Sequence, residues 1–434
     1  MPKSYSTGHT AVEGFNATFN NPILRQIAQE SCVLVKNTNN ALPLKAPRML
    51  HIFGYSAKLP DQYTTASSLA PSGSAASGGA AYLNGTMITA GGSGASSPFL
   101  VIAPFDALIW QAYNASTALY WDFINTNPTV DGAADACLVF GNAFSAEGSD
   151  RTTLEDTYTD NIILNVAGKC NNTIVIFHNT ATRLVESFAD HPNVTAIIFA
   201  HGPGQLSGLG LVDVLYGHVS PSGKLPYTVA HNSSDYGSLL GPDKPEGIFT
   251  LFPQSDFTEG VYIDYKRFDQ LEITPRYEFG FGLSYTSFQY SGLEISKSLA
   301  SSSKKRCVGS SLGTYPTGPI LPGGQKDLWD VLVKVSATIT NTGSVTGAEV
   351  AQLYIGIPSP NSTSIPATPI RQLRGFEKPL ISAGQSATVT FSLTRRDLSI
   401  WDTVKQSWLL QSGTYNVYVG GSSQNLPLTG TFKL

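Results

Sequence analysis

The chain has 434 residues, too many for one ordinary core, and its 41% hydrophobic content is ample for two or three. A net charge of -4 supplies no basic face for nucleic acid. Charged residues make up only 13%, against roughly 25% in an average soluble protein, so Ser, Thr, Asn and Gly take over the surface role.

No apolar stretch approaches the ~20 residues that span a membrane, so no membrane segment is predicted. Met1-Pro-Lys-Ser-Tyr-Ser begins no signal peptide, because no apolar run follows it. Asn-x-Ser/Thr acceptor triplets nevertheless occur at Asn16, Asn84, Asn114, Asn171, Asn193, Asn232 and Asn361. With the low charge they predict a secreted glycoprotein. The conflict between that composition and the missing export signal resolves most simply if the true N-terminus lies upstream of Met1.

The first 19 residues read as a remnant or linker, and residues 20–231 as an α/β domain. Asn21-Pro22 opens a helical run leading into Val33-Leu-Val35, and short apolar strands follow at Leu50–Phe53, Cys137–Phe140, Thr173–Phe177 and Ala196–Ala200. Helical stretches alternate with them, notably Thr152–Ala167, where Leu154, Ile162, Ile163 and Val166 form a stripe. Asp150 is placed to cap that helix or to pair with Arg151. Near-continuous apolar strands between helices predict a sheet buried on both faces.

Ala66–Ser97 is a long Ser/Gly/Ala loop by composition. Residues 232–325 form a linking segment, aromatic- and proline-rich at first, with a second loop at Ser298–Gln325. From 326 to 434 the alternating runs Val331–Thr340, Glu349–Ile355, Ala387–Leu393 and Thr414–Val419 predict an antiparallel β-sandwich. The predicted fold class is thus an α/β sandwich followed by a β-sandwich.

Four cysteines (Cys32, Cys137, Cys170, Cys307) lack metal-type spacing. Cys32 and Cys137 lie in apolar runs and suit buried thiols, whereas Cys170 and Cys307 sit in polar segments. The histidines show no ligand pair of zinc-site type, and no complete G-x-S-x-G elbow is present. Gly202-Pro-Gly204 and Gly91-Gly-Ser-Gly94 lack the partners of nucleotide loops, so the first reads as a tight strand-to-helix turn. No metal or cofactor is predicted. Lys304-Lys305-Arg306 reads as a solvated loop.

The remaining chemical candidate is Glu147, in Gly141-Asn-Ala-Phe-Ser-Ala-Glu147-Gly-Ser-Asp-Arg151. A strand ending in small and polar residues leaves the following side chains at the sheet's carboxyl edge, where open α/β sheets bind ligands. A lone carboxylate there suits a proton donor, but on spacing alone an exposed loop glutamate is the commoner outcome. Sugar cleavage normally needs a second carboxylate, and the sequence shows no obvious one.

From Asn20 onward the chain resembles the C-terminal two-thirds of fungal β-glucosidases of glycoside hydrolase family 3. The resemblance rests on Val33-Leu-Val-Lys-Asn37 with Leu42-Pro-Leu44, Gly91–Gly94 followed by Pro104-Phe-Asp-Ala107, Gly202-Pro-Gly-Gln205, Asp213-Val-Leu-Tyr-Gly217 and Pro221–Pro226. The most distinctive blocks are Glu259–Tyr265 with Phe268-Asp269, and Pro275–Tyr285. Asn341-Thr-Gly343, Gly347–Tyr354, Gln372–Lys378 and Arg396–Ser399 are similar to the family's fibronectin type III-like domain.

The resemblance implies removal of terminal β-D-glucose from cello-oligosaccharide-type β-glucosides with retention of configuration. It gives Glu147 the role of general acid/base. Ala146 stands where the family has glycine, Ser149 where an aromatic often lines the acceptor subsite, and Leu206 where an acidic residue is frequent. The resemblance puts the nucleophile in a barrel domain absent from these residues, and Ser234-Asp-Tyr236 reads as a turn. A truncated chain of little activity by itself is therefore expected. The alternatives are a noncatalytic carbohydrate-binding or accessory protein, and a β-xylosidase or exo-glucanase of the same family.

Overall fold

In a computed structural model, the chain is described over residues 17–61, 85–90, 100–145, 151, 153–240, 246–252, 254–297, 313–360 and 367–434. Two compact units form. One holds most residues up to Val219, and the other holds Ser220–Leu434 with Val33–Val35 and Thr182–Ser187.

Up to Val219 the helices are α1 (Ala17–Glu30), α2 (Pro104–Ala115), α3 (Thr157–Ala167), α4 (Glu186–Ala189) and α5 (Ser207–Leu215). The strands are β1 (Val33–Asn37), β2 (Met49–Phe53), β3 (Ala118–Asp122), β4 (Ala136–Ala143), β5 (Thr173–Asn179) and β6 (Val194–Phe199); β1 and α4 are divided between the two units. The strands lie in the order β1-β6-β5-β4-β2-β3. Every pairing from β6 to β3 is parallel. β1 runs the other way: Ser31 Oγ donates to Ala200 O beyond the end of β6, and Thr38 N to Thr195 O near its start.

All residues of β4, β5 and β6 are buried, as a sheet covered on both faces requires. Helix α5 packs against α1 and α2, while α3 packs on β4 and β5. Gly210 admits the first of these contacts, because a Cβ there would stand 2.5 Å from the Ala28 Cβ. Arg25 clamps the buried Asp213 through two hydrogen bonds of 2.6 Å, and Gln29 adds a third. Burial works to raise the Asp213 pKa, but these donors prevail and hold it below the ordinary carboxylate value.

Three local expectations change. Helix α1 begins at Ala17 with Pro22 inside it, at the loss of one backbone donor. Helix α3 begins at Thr157 rather than near Thr152, because Asp156, not Asp150, caps it by accepting from Thr159 N at 3.3 Å. Cys137 is not a thiol: it is disulfide-bonded to Cys170, at a sequence separation of 33. Cys32 is the buried free thiol that its apolar run predicted, with burial pushing its pKa up to about 12. Cys307, Asp150, Lys304–Arg306, Gly91–Gly94 and most of the Ala66–Ser97 loop lie outside the described residues.

The second unit carries α6 (Tyr265–Leu271), β7 (Phe288–Lys297), β8 (Ile320–Leu321), β9 (Gly324–Gln325), β10 (Val331–Asn341), β11 (Gly347–Ala348) and β12 (Ala351–Gly356). These are followed by β13 (Gln372–Glu377), β14 (Leu380–Ile381), β15 (Ser386–Thr394), β16 (Ser399–Asp402), β17 (Ser407–Leu410), β18 (Thr414–Gly420) and β19 (Leu428–Lys433). Sheets β15-β10-β7 and β13-β12-β18-β19, both antiparallel, enclose a core of Val333, Val335, Ala337, Ile339, Leu353, Ile355, Phe391, Val417 and Val419. Alternation along β10 turns every second side chain into that core. Strand β7 falls inside the stretch read as linking sequence, yet it pairs with β10 along most of its length.

The motif blocks of this unit are anchors. Asp264, at a φ of 51°, accepts from Thr228 N and Oγ1 and from Tyr265 N. Asp269 takes both arms of the Arg371 fork. Buried Asn341 accepts from Thr286 Oγ1 and Gly343 N and donates to Val345 O and Ile381 O.

Candidate active site at the sheet switch point

Strand order fixes where a ligand crevice opens. The chain runs from β2 outward to the edge strand β3, then returns to place β4 on the other side of β2. The winding direction therefore reverses between β2 and β4, and the crevice beyond their carboxyl ends is where open α/β sheets bind ligands. The segments leaving these two strands are Gly54–Ala57 and the run from Phe144 that contains Glu147.

Both segments spring from a buried polar floor. After β2, Gly54 leads into a single 3-10 turn, Tyr55–Ala57, all buried. The Tyr55 hydroxyl accepts from Asn142 N at 3.3 Å and lies 2.9 Å from Thr159 Oγ1. Thr159 Oγ1 donates to Asp156, the cap of α3, so the helix start is tied to the β2 turn. On the far side, Thr180 N donates to Ala143 O at 3.1 Å. The stem before Glu147 is thus held from both neighbouring strands. Glu147, Ala146, Ser149 and Asp150 themselves lie outside the described residues.

Below this floor His178, at the end of β5, is fully buried, with Nδ1 3.2 Å from Ser56 Oγ and no partner for Nε2 among the described residues. Burial lowers its pKa to about 4, so it is neutral at pH 7. Burial lowers His51 and His201 as well. The sign follows from linkage: below the unfolded value of about 6.5 the unfolded chain takes up the proton first, so stability is full above that pH and falls toward pH 4. His178 alone is expected to remove about 3 kcal/mol across that window. Urea midpoints from pH 7.5 to 4 should show this slope, and His178→Asn should flatten it. An unchanged slope would refute the assignment.

Leu206 and Gln205 occupy the turn between β6 and α5, where His201 (φ 55°) and Gly204 (φ 81°) take left-handed backbone. A Cβ at Gly208 would stand 2.2 Å from Ala103 O, so these glycines serve a close turn and helix approach. Asp235 of Ser234-Asp-Tyr236 lies in a 3-10 segment and accepts from Asn232 N at 3.0 Å. Tyr236 is buried, its hydroxyl donating to Thr228 O.

Among the acceptor triplets, Asn114, Asn171 and Asn232 are exposed. Asn193 is half-buried and donates to Ala167 O at 2.8 Å. Asn16, Asn84 and Asn361 fall outside the described residues. No described helix is long and apolar enough to cross a membrane.

Sequence reading missed Tyr55, Ser56 and His178. The available signal was an apolar strand ending in Gly54-Tyr-Ser, the same cue that drew attention to Glu147.

Comparison with known proteins shows the family and the fold. The glycosyl hydrolase family 3 C-terminal domain matches residues 32–285, and a fibronectin type III-like domain matches 349–423. "Probable beta-glucosidase M" of Aspergillus niger is 52% identical over the whole chain, which covers 54% of it. "Beta-glucosidase cel3A" of Pyricularia oryzae is 44% identical over 98% of the chain and 54% of its own length. Among solved structures, beta-glucosidase D2-BGL from Chaetomella raphigera superposes with a TM-score of 0.82 at 36% identity, covering 99% of this chain and 56% of that one. The beta-D-glucoside glucohydrolase of Trichoderma reesei gives the same TM-score and identity, over 99% and 58%. The chain spans about half the length of the curated relatives it matches. It belongs to glycosyl hydrolase family 3, whose C-terminal α/β domain and fibronectin type III-like domain it carries.

Proposed function

We propose that this chain supplies the acid/base half of a retaining β-glucosidase active site, with Glu147 as the proton donor. The observation that carries the reading is the switch point between β2 and β4, because the Glu147 segment leaves β4 there. In the first step the carboxylic acid protonates the departing glycosidic oxygen. In the second, its carboxylate deprotonates the water that releases glucose. The substrate is a terminal β-D-glucosyl unit on a cello-oligosaccharide or related β-glucoside, and Ser149 borders the acceptor side.

The α/β domain is taken as residues 20–231 and the fibronectin type III-like domain as 326–434. The disulfide and the acceptor triplets support a secretory, extracellular location. Exposed Trp110, Tyr113, Tyr120 and Trp121 on α2 and β3 speak against the noncatalytic alternative, which calls for polar cover on its surfaces.

Retaining hydrolysis needs a second carboxylate about 5–5.5 Å from the first, and family resemblance assigns that residue elsewhere. The chain alone is therefore expected to turn over an aryl β-glucoside barely above background, and robust turnover would refute this reading. Joined to the segment of the Aspergillus niger relative that precedes the matched region, it should become active. Glu147→Ala in that fusion should then lower kcat/KM, which reports the bond-breaking first step, on cellobiose by roughly 10²–10³-fold. The loss should be much smaller on a dinitrophenyl glucoside, whose leaving group departs without a proton. Equal losses on both substrates would exclude the acid/base role.

A further inference from the structure

At the amino edge of the sheet, opposite the switch point, lies a concavity of about 510 Å³. Its rim includes Asn39, Asn40, Lys45, Arg48, Asn171 and Thr195. The wall formed by residues 39–48 is preformed. Asn39, Asn40 and Ala46 take positive φ, and the Asn37 side chain bridges the loop through Leu42 N and O. Leu44 N donates to Leu215 O, and Arg48 N to Asp135 Oδ2.

Asn171 stands on an equally rigid base. Cys170 before it is fixed to Cys137 by the disulfide. Asn172 after it donates to Asp135 O at 3.0 Å and accepts from Thr195 Oγ1 at 2.6 Å. Between these clamps the Asn171 side chain is exposed at the rim, and it heads the triplet Asn171-Asn-Thr173. We propose that Asn171 carries an N-linked glycan whose first N-acetylglucosamine units lie in this concavity against the 39–48 loop. The side-chain amides of Asn39 and Asn40 suit the hydroxyl and acetamido groups of such a sugar. Asn193, half-buried with its amide committed to Ala167 O, lacks that freedom.

The proposal rests on the secretory reading for its setting, but its test does not. The full chain is produced behind a secretion leader in a glycosylating eukaryotic host, so entry into that pathway is imposed. Peptide mapping after enzymatic deglycosylation in heavy-oxygen water should label Asn171 nearly completely. Amide hydrogen exchange across residues 39–48 should be several-fold slower in the glycoprotein than in Asn171→Gln. Where that variant is poorly secreted, folded glycoprotein trimmed to a single N-acetylglucosamine serves as comparator and should exchange faster than the untrimmed form. A secreted, folded chain with Asn171 bare overturns the modification. Equal exchange with and without the glycan overturns its seating in the concavity. Loss of β-glucosidase activity in the family 3 fusion would bear on the proposed function alone.

Discussion

Gly54→Ala is expected to destabilise the α/β unit by about 4 kcal/mol or more, combining left-handed strain with overpacking against backbone. At this position φ is 88°, and an added Cβ would lie 2.1 Å from Phe140 O and 3.1 Å from Phe140 N. The clash is with the main chain of β4, fully buried between β2 and β5, so no side chain can swing aside. Relief requires moving either the Tyr55–Ala57 turn or β4 itself, and Tyr55 is tied to Asn142 N across that very gap. Gly132→Ala is the control, because nothing lies within 4 Å of its Cβ position. Urea denaturation should separate the two variants widely, and coincident midpoints would sink the steric argument.

Loss of the Cys137–Cys170 disulfide should cost about 3–4 kcal/mol, as expected for a crosslink closing a loop of this length. The bridged residues are 33 apart, and they join the start of β4 to the turn before β5. Cys137 N also donates to Asn172 O at 2.9 Å, so the native pairing survives reduction and the effect falls chiefly on the unfolded chain. Denaturation with and without reductant, alongside Cys137→Ala/Cys170→Ala, measures it. The double variant should lose slightly more, since it also empties buried space. A reductant effect below about 1 kcal/mol would argue that the bridge does not restrain the unfolded state.

The interior strands were legible because burial on both faces leaves unbroken apolar runs, as in Cys137–Phe140 and Thr173–Phe177. Edge strand β3 was not, since its short run Ala118–Trp121 lacks the aliphatic, doubly buried character of the interior strands and Tyr120 and Trp121 are largely exposed. Strand β7 was hidden for the same reason, with most of its side chains partly open. The cap of α3 was misplaced by six residues because Asp150 and Asp156 are equivalent in local sequence. Asp156 is the one that heads α3 and meets Thr159, whose methyl would contact a Cβ on Gly141 at 2.5 Å. Cys137 looked like a thiol because burial and apolar neighbours describe a buried disulfide half equally well.

By itself the sequence determined the two-part α/β and β-sandwich organisation and the family blocks, and it singled out Glu147 as the chemical candidate. Periodicity and backbone preference are local, so one strand or turn encodes them fully. Tertiary structure decided the cysteine pairing, the antiparallel sense of β1, and the reversal of winding between β2 and β4. It also formed the concavity beside Asn171. Each of these depends on register between segments distant in sequence. Only packing of the whole sheet selects that register, by covering both of its faces at once.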